Sequence, residues 1–327
     1  MCVQESEEFE RLTGPFRAEL LAYCYRMLGS VQDAEDQVQE TLLRAWRGYG
    51  GFEGRSSVRT WLYRIATNAC LRALESRGRR PLPSGLGGPA EDADAPLAAA
   101  RLEVPWLQPI PDGRFGSAPA DPAAVVVSRT SMRLALIAAL QHLPSRQRAV
   151  LILRDVLGWR AAEVAGLLGT SVPAVNSALQ RAREHLAAAR PAEDEIGEPD
   201  TPAERDLVGR YAAAFENADM AGLVALLRED AVLEMPPLPG WFRGRAAVAR
   251  FLGIKVMRGT GGFAMVPTAA NGQPALAAYQ RDPAGVYRAH AVQVLTASGA
   301  GLARIVSFND PRLFEVFGLP ETTDRSE

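Results

Sequence analysis

A chain of 327 residues that is 47% apolar can bury more than one core, so two or three domains are expected, and its formal charge of −2 hides an uneven distribution. No run of eighteen apolar residues is present to span a bilayer as a helix, and the opening MCVQESEEFE offers neither the basic start nor the apolar core of an export signal, which leaves the cytoplasm as the expected location. Cys2, Cys24 and Cys70, with no CxxC and no His nearby in sequence, indicate neither a disulfide framework nor a zinc site, and no metal or cofactor is expected.

Along the chain, residues 9–29 carry Phe16, Leu20, Tyr23, Cys24 and Met27 at helical spacing and stop at Gly29. Ser30 with Asp33 predicts a capped second helix whose buried stripe is Val31, Ala34, Val38, Leu42 and Ala45. Its opposite face presents Asp33, Asp36, Gln37 and Glu40, suited to a basic helical partner. After the glycine-rich GYGGFEGRSS, a third helix from Ser57 turns Val58, Trp61, Leu62, Ile65 and Ala69 inward. That leaves Arg59, Thr60, Tyr63, Arg64, Thr67, Asn68 and Arg72 outward, with Trp61 expected in the core.

Residues 78–126 are rich in Pro, Gly, Ala and Asp without a sustained period and read as a linker. Helices at 128–143 and 145–157 precede GWRAAEVAGLLGTSVPAVNSALQRAREHLAAA, residues 158–189. Here Ala161, Val164, Ala165 and Leu168 make one inward stripe that ends at Gly169, and Thr170 and Ser171 offer N-cap hydroxyls. Val175, Leu179, Ala182 and Leu186 make a second stripe. The result is a helix-turn-helix whose free face, Asn176, Ser177, Gln180, Arg181 and Arg183, can reach base edges and phosphates in a major groove.

PAEDEIGEPDTPAE is a second linker, after which two helices are followed by strand-like AVLEM, FAMVPTAA, PALAAYQ, YRAHAVQVLTA and LARIVSFND. Helices then strands imply an α+β unit with a curved antiparallel sheet. Charge follows the same divisions: residues 51–80 hold seven Arg against two acids and 127–191 nine Arg against three, while 81–126 and 192–327 are net acidic. Two separated basic modules point to two contacts with a polyanion.

YRMLGSVQDAEDQVQETLLRAW followed by FEGRSSVRTWLYRIATNACLRAL resembles region 2 of the extracytoplasmic-function sigma factors of bacterial RNA polymerase, and LPSRQRAVLILRDVLGWRAAEVAGLLGTSVPAVNSALQRARE resembles their region 4. The resemblance implies core RNA polymerase as partner, through the clamp helices of its largest subunit for Asp33, Asp36, Gln37 and Glu40, and through its flap. It implies a −10 element read and opened by Phe52, Arg55, Ser56, Ser57, Arg59, Thr60, Tyr63, Arg64 and Asn68. A −35 element would be read by Thr170, Ser171, Asn176, Ser177, Gln180, Arg181 and Arg183, with a departure at Asn176 and Ala178, where many members place Lys and Arg.

RYAAAFENADMAGLVALLREDAVLEMPPLPGWFRGRAAVARFL resembles the opening of a SnoaL-like polyketide-cyclase domain, a cone fold shared with ketosteroid isomerases. Enzymatic members need a pocket acid or base, for which Asp230, Glu234, His290 and Asp310 are the candidates, and Met235, Trp241, Tyr279 and Phe308 are candidate pocket residues for a small-molecule ligand. Glu234 is expected to be solvated on its strand.

The expected architecture is multidomain, two all-α helical domains followed by an α+β cone domain: region 2 at 8–80, a flexible linker at 81–126, region 4 at 127–190, a linker at 191–202 and a regulatory SnoaL-like domain at 203–318. The function implied is a sigma factor, with no membrane association and no catalysis, whose activity the cone domain tunes. The alternative is a bifunctional protein whose C-terminal domain is a small-molecule isomerase, cyclase or hydrolase.

Overall fold

The structure, a computed structural model, describes residues 3–54, 56–76, 78–115, 131–189, 201–257, 259–298 and 301–324, so the Arg55 assignment and most of the 191–202 linker lie outside the described residues. The chain divides into two compact units, residues 1–80 with 113–191, and residues 81–112 with 192–327.

In the first unit, α1 (Val3–Thr13), α2 (Arg17–Leu28), α3 (Val31–Gly48) and α4 (Val58–Glu75) form the region 2 part. The helix expected over 9–29 is broken at Gly14–Phe16 by a 3-10 turn, because Pro15 has no N–H to give an α-helical ladder. Gly29 closes α2 at φ 69°, a left-handed conformation that costs glycine nothing, and Ser30 caps α3 by accepting the Asp33 N–H at 3.2 Å.

Region 4 is built from α5 (Leu134–Leu140), α6 (Ser145–Leu151) extended by a π turn at Ile152–Val156, α7 (Ala161–Leu168) and α8 (Val172–Ala189). Gly169 adopts φ 62° and Ser171 Oγ accepts the Ala174 N–H at 3.3 Å, so the predicted stop and start of the helix-turn-helix are both present. The helices that precede the helix-turn-helix are joined to region 2 by buried arginines. Arg148 donates to the carbonyls of Met27, Gln141 and Leu143, and Arg26 donates to Ser131.

The second unit holds α9 (Pro202–Glu216), α10 (Met220–Leu226), β1 (Leu227–Glu234), β2 (Trp241–Arg243), α11 (Arg245–Phe251), β3 (Phe263–Ala270), β4 (Gln273–Arg281), β5 (Tyr287–Ser298), β6 (Gly301–Phe308), α12 (Leu313–Val316) and β7 (Thr322–Thr323). The strands lie in the order β2-β1-β6-β5-β4-β3, with β7 added to β5. All the pairs are antiparallel except β1 with β6, so the sheet is mixed rather than purely antiparallel. The single parallel pair arises because the chain leaves β1, crosses through β2, α11 and the β3-β4-β5 meander, and returns beside β1.

One face of this sheet packs Leu233, Phe242, Met265, Leu276, Leu295 and Ile305 against Tyr211, Phe215 and Phe251 of the helices. Phe242 stacks on Phe251 with ring centroids 4.4 Å apart, and Phe215 meets Phe263 edge-on at 5.3 Å. Each such ring contributes about 1.5–3 kcal/mol by leaving water.

The expectation of a flexible linker over 81–126 does not hold for Pro81–Asp112, which belongs to the second unit. Trp241 Nε1 donates to the Gly87 carbonyl at 2.9 Å, and the Ala90 and Arg101 N–H groups donate to the carbonyls of Trp241 and Pro237 at 2.7 and 2.9 Å. Ile110 and Asn271 exchange two bonds, the Ile110 N–H to Asn271 Oδ1 at 3.1 Å and the Asn271 N–H to the Ile110 carbonyl at 3.0 Å. Arg250 and Lys255 hold Asp94. A stretch without hydrophobic period is ordered here by polar bonds and by single buried residues such as Leu82, Ala93, Leu107 and Ile110. Residues 116–130 of the expected linker lie outside the described residues.

Candidate nucleic-acid and polymerase interface

Three surfaces carry the predicted site residues. On α3, Asp36 is exposed, while Gln37 and Glu40 are half-exposed, and Glu40 is held by Arg44 one turn on at 2.5 Å. Asp33 does not join them. It is buried and ion-paired with Arg80, so an acid expected on the polymerase face instead ties α3 to the end of region 2.

Around α4, Ser57 caps the helix by accepting the Thr60 N–H at 3.1 Å, and Ser56, Ser57, Thr60, Arg64 and Asn68 remain wholly or partly accessible. Phe52 stacks on Trp61 with centroids 4.6 Å apart, and both are half-buried, so Trp61 is not the full core residue expected. Tyr63 departs in the other direction. It is fully buried, edge-on to Tyr23 at 5.1 Å, and Thr67 beside it is buried as well, bonded to the Tyr23 hydroxyl at 2.8 Å. Burial first, and then the Glu19 carboxylate, push the Tyr63 hydroxyl pKa far up. Arg59 lies over the Tyr63 ring at 5.3 Å and donates through Nε to Glu19 at 2.9 Å, which raises its pKa further.

On the recognition helix α8, Asn176, Ser177, Gln180 and Arg181 are exposed as predicted, with Thr170 and Ser171 exposed at its start. Gln180 donates to Glu184 at 3.0 Å, a contact exposed to solvent. Arg183 is engaged differently: its guanidinium forks onto both oxygens of Asp155 at 2.8 and 2.7 Å, fastening α8 to the π turn. Val172, an exposed apolar side chain at the helix start, and Trp159, buried at 5% exposure, escaped the sequence reading. Trp159 stands just before the N-cap Arg160, where an apolar residue commonly staples a helix start, and that placement was its available signal.

In the cone domain the four acid–base candidates do not converge. Asp230 is forked by Arg228 and Asp310 by Arg312, both at the surface, which holds the Asp230 carboxyl below the usual range. His290 is half-buried with its ring 5.9 Å from Phe263, and burial lowers its pKa. Glu234, expected to be solvated, is fully buried, because the face of the sheet opposite the helices is covered by Pro81–Gly87 and the C-terminal segment.

The candidate pocket residues separate in the same way. Met235 belongs to the helix-side core, whereas Trp241 lies under the Gly87 segment, and Tyr279 packs edge-on against Phe314 at 4.9 Å with its hydroxyl donating to the Pro320 carbonyl at 3.1 Å. Phe308, buried on β6, pairs in register with Val292. A polar cleft of 760 Å³ is lined by Lys255, Thr260, Phe263, Arg281 and Asp282, and none of the eight candidates lines it. Among the described residues no cluster of His, Cys, Asp and Glu suits a metal ion, and no helix is long and apolar enough to cross a membrane.

Comparison with known proteins matches these surfaces in order: residues 14–80 to Sigma-70 region 2, residues 133–186 to Sigma-70 region 4 and residues 208–305 to the SnoaL-like domain. A sigma-type transcription protein with a fused SnoaL-like domain is the class so defined. The ECF RNA polymerase sigma factor SigG of Mycobacterium tuberculosis is 51% identical over 317 residues, covering 96% of this chain and 85% of that protein. SigJ of the same organism is 33% identical, covering 89% and 86%. The crystal structure of SigJ superposes with a TM-score of 0.60 at 25% identity, covering 96% of this chain and all of that one. The chain belongs to the ECF RNA polymerase sigma factors.

Proposed function

We propose that the chain binds core RNA polymerase through the Asp36, Gln37 and Glu40 face of α3, acting in the cytoplasm, and directs it to promoters. The −10 element is opened and read around Phe52, Ser56, Ser57, Arg59, Thr60, Arg64 and Asn68, and the −35 element through Asn176, Ser177, Gln180 and Arg181. The observation that carries this reading is one exposed acidic helix face and one exposed amide, hydroxyl and guanidinium face on a helix-turn-helix, in a single chain. Acid on α3 meets base on a polymerase helix, and side chains of the α8 type bond base edges.

The cone domain tunes this activity and catalyses nothing. Supporting this, Pro81–Asp112, the segment that connects region 2 to region 4, is built into the cone unit, so whatever stabilises or loosens that unit acts on the connector. The candidate acids are neutralised by arginines rather than poised over a shared cavity. Reconstitution with core polymerase tests the reading. Wild-type chain retrieves promoter DNA whose sequencing gives a bipartite motif, Asp36→Arg with Glu40→Arg abolishes core binding with unchanged circular dichroism, and deletion of residues 197–327 alters transcription from the retrieved promoters. Near-wild-type core affinity of the charge-reversed chain in a fluorescence titration removes the α3 assignment, and unaltered transcription by the truncated chain removes the tuning role.

A further inference from the structure

Trp159 sits in the turn between the π-helical end of α6 and α7, and its backbone is secured there independently of its ring. Its N–H donates to the Leu153 carbonyl at 2.9 Å and its carbonyl accepts from Arg154 at 2.5 Å. The indole itself is directed onto region 2. It lies 5.2 Å from the Tyr63 ring, and the Arg59 guanidinium is 5.5 Å from the indole and 5.3 Å from Tyr63. The indole is buried, yet its Nε1–H has no hydrogen-bond partner, an unmade bond that works against this packing. Two aromatic rings bridged by a guanidinium are the same set of contacts by which proteins capture an unstacked base. A planar two-ring indole has nearly the outline of a purine.

We propose that Trp159 of region 4 occupies the place of an unstacked base on the Arg59–Tyr63 platform, so that region 4 competes with single-stranded DNA for region 2. The proposal rests on the assignment of Arg59 to the −10 surface. Arg59 is partly exposed and can meet the strand first, but stacking on Tyr63 requires the indole to be displaced. Promoter opening is thereby coupled to withdrawal of region 4, and the buried Tyr63 becomes available only when Trp159 leaves. Glu19, bonded to Arg59, holds the guanidinium in position for either occupant.

The test measures fluorescence anisotropy of a labelled twelve-nucleotide single strand of randomised sequence with the full chain and no polymerase, since stacking tolerates any base. Trp159→Ala is expected to bind about tenfold more tightly than wild type, and Trp159→Phe, which keeps a ring on the platform, less so. Arg59→Ala in the Trp159→Ala background returns the affinity to wild type or below. Trp159→Leu keeps apolar bulk in the seam without the ring and serves if the alanine chain does not fold, as judged by circular dichroism. Unchanged affinity of the folded Trp159 variants, with Arg59→Ala still weakening binding, overturns the competition and leaves the −10 assignment standing. A gain that survives Arg59→Ala also overturns it. Arg59→Ala without effect in either background overturns the assignment of Arg59 itself, and the competition with it.

Discussion

Glu234 on β1 and Arg304 on β6 form an ion pair in which the carboxylate is fully buried and the guanidinium side chain is only 20% exposed. The carboxylate's other oxygen accepts the Ser84 N–H at 2.9 Å, so a single acid bonds both a neighbouring strand and the connector between regions 2 and 4. In an isomerase-like domain an acid at this point invites a catalytic reading, but its place on the sheet face away from the helices makes it a structural fastening.

Arg304→Met is therefore expected to destabilise the cone unit by about 3–5 kcal/mol, because it leaves a buried carboxylate without its counter-charge. The double variant Glu234→Leu with Arg304→Met recovers most of that loss, since no unpaired charge remains. Urea unfolding followed by tryptophan fluorescence reads both, and a cost below about 1 kcal/mol for Arg304→Met contradicts the pairing as described.

Asn271 occupies a left-handed turn at φ 59° and holds Ile110 with its side chain. Asn271→Ala loses that hydrogen bond and places a Cβ without the local compensation asparagine has there, for about 2 kcal/mol in all. Faster proteolysis within residues 81–112 under native conditions is the expected outcome. An unchanged cleavage rate shows that the segment is held by its other bonds.

His290 supplies a pH dependence of defined sign. Burial depresses its folded pKa below the unfolded value of about 6.5, so the unfolded chain takes up the proton first. Its neutral form suits the fold above pH of about 6.5, and stability falls as the pH drops below that value toward the folded pKa. Melting temperatures from pH 7.5 to 5 are expected to decline less steeply in His290→Gln than in wild type, and parallel declines assign the acid sensitivity to other groups.

On the recognition helix the exposed and the engaged arginine predict different behaviour. Arg181→Ala and Gln180→Ala each weaken binding to a cognate promoter by about 1–3 kcal/mol and relax preference at the bases they touch. Arg183→Ala, which frees Asp155, changes binding by a similar factor on cognate and unrelated sequences. Binding-site selection with randomised −35 elements separates the two, and a sequence-specific loss for Arg183→Ala shows that it leaves Asp155 to read a base.

The sequence by itself determined what local pattern can carry. Val164 and Ala165 before Gly169 and the Ser30 cap follow from spacing and end signals set by neighbours within a few residues, although Leu167 rather than Leu168 completes the buried stripe, and the order of region 2, region 4 and cone domain was legible through the family resemblance. The exposed faces with Asp36 and Glu40, and with Asn176 and Arg181, were legible for the same reason, since an amphipathic helix declares both of its sides.

Only the tertiary structure decided the positions whose environment comes from distant chain. Asp33 lies on the polar side of its helix yet is buried, because Arg80 arrives to neutralise it. Tyr63 and Thr67 turn from surface to core because Tyr23 and Trp159 pack over them. Glu234 alternates correctly as an outward strand residue, but outward is covered, because a Pro- and Gly-rich segment with no period of its own is pinned there by hydrogen bonds. A hydrophobic pattern reports which side of an element avoids water on its own account. It carries no record of a polar segment, remote in sequence, that folds back to exclude water from the other side.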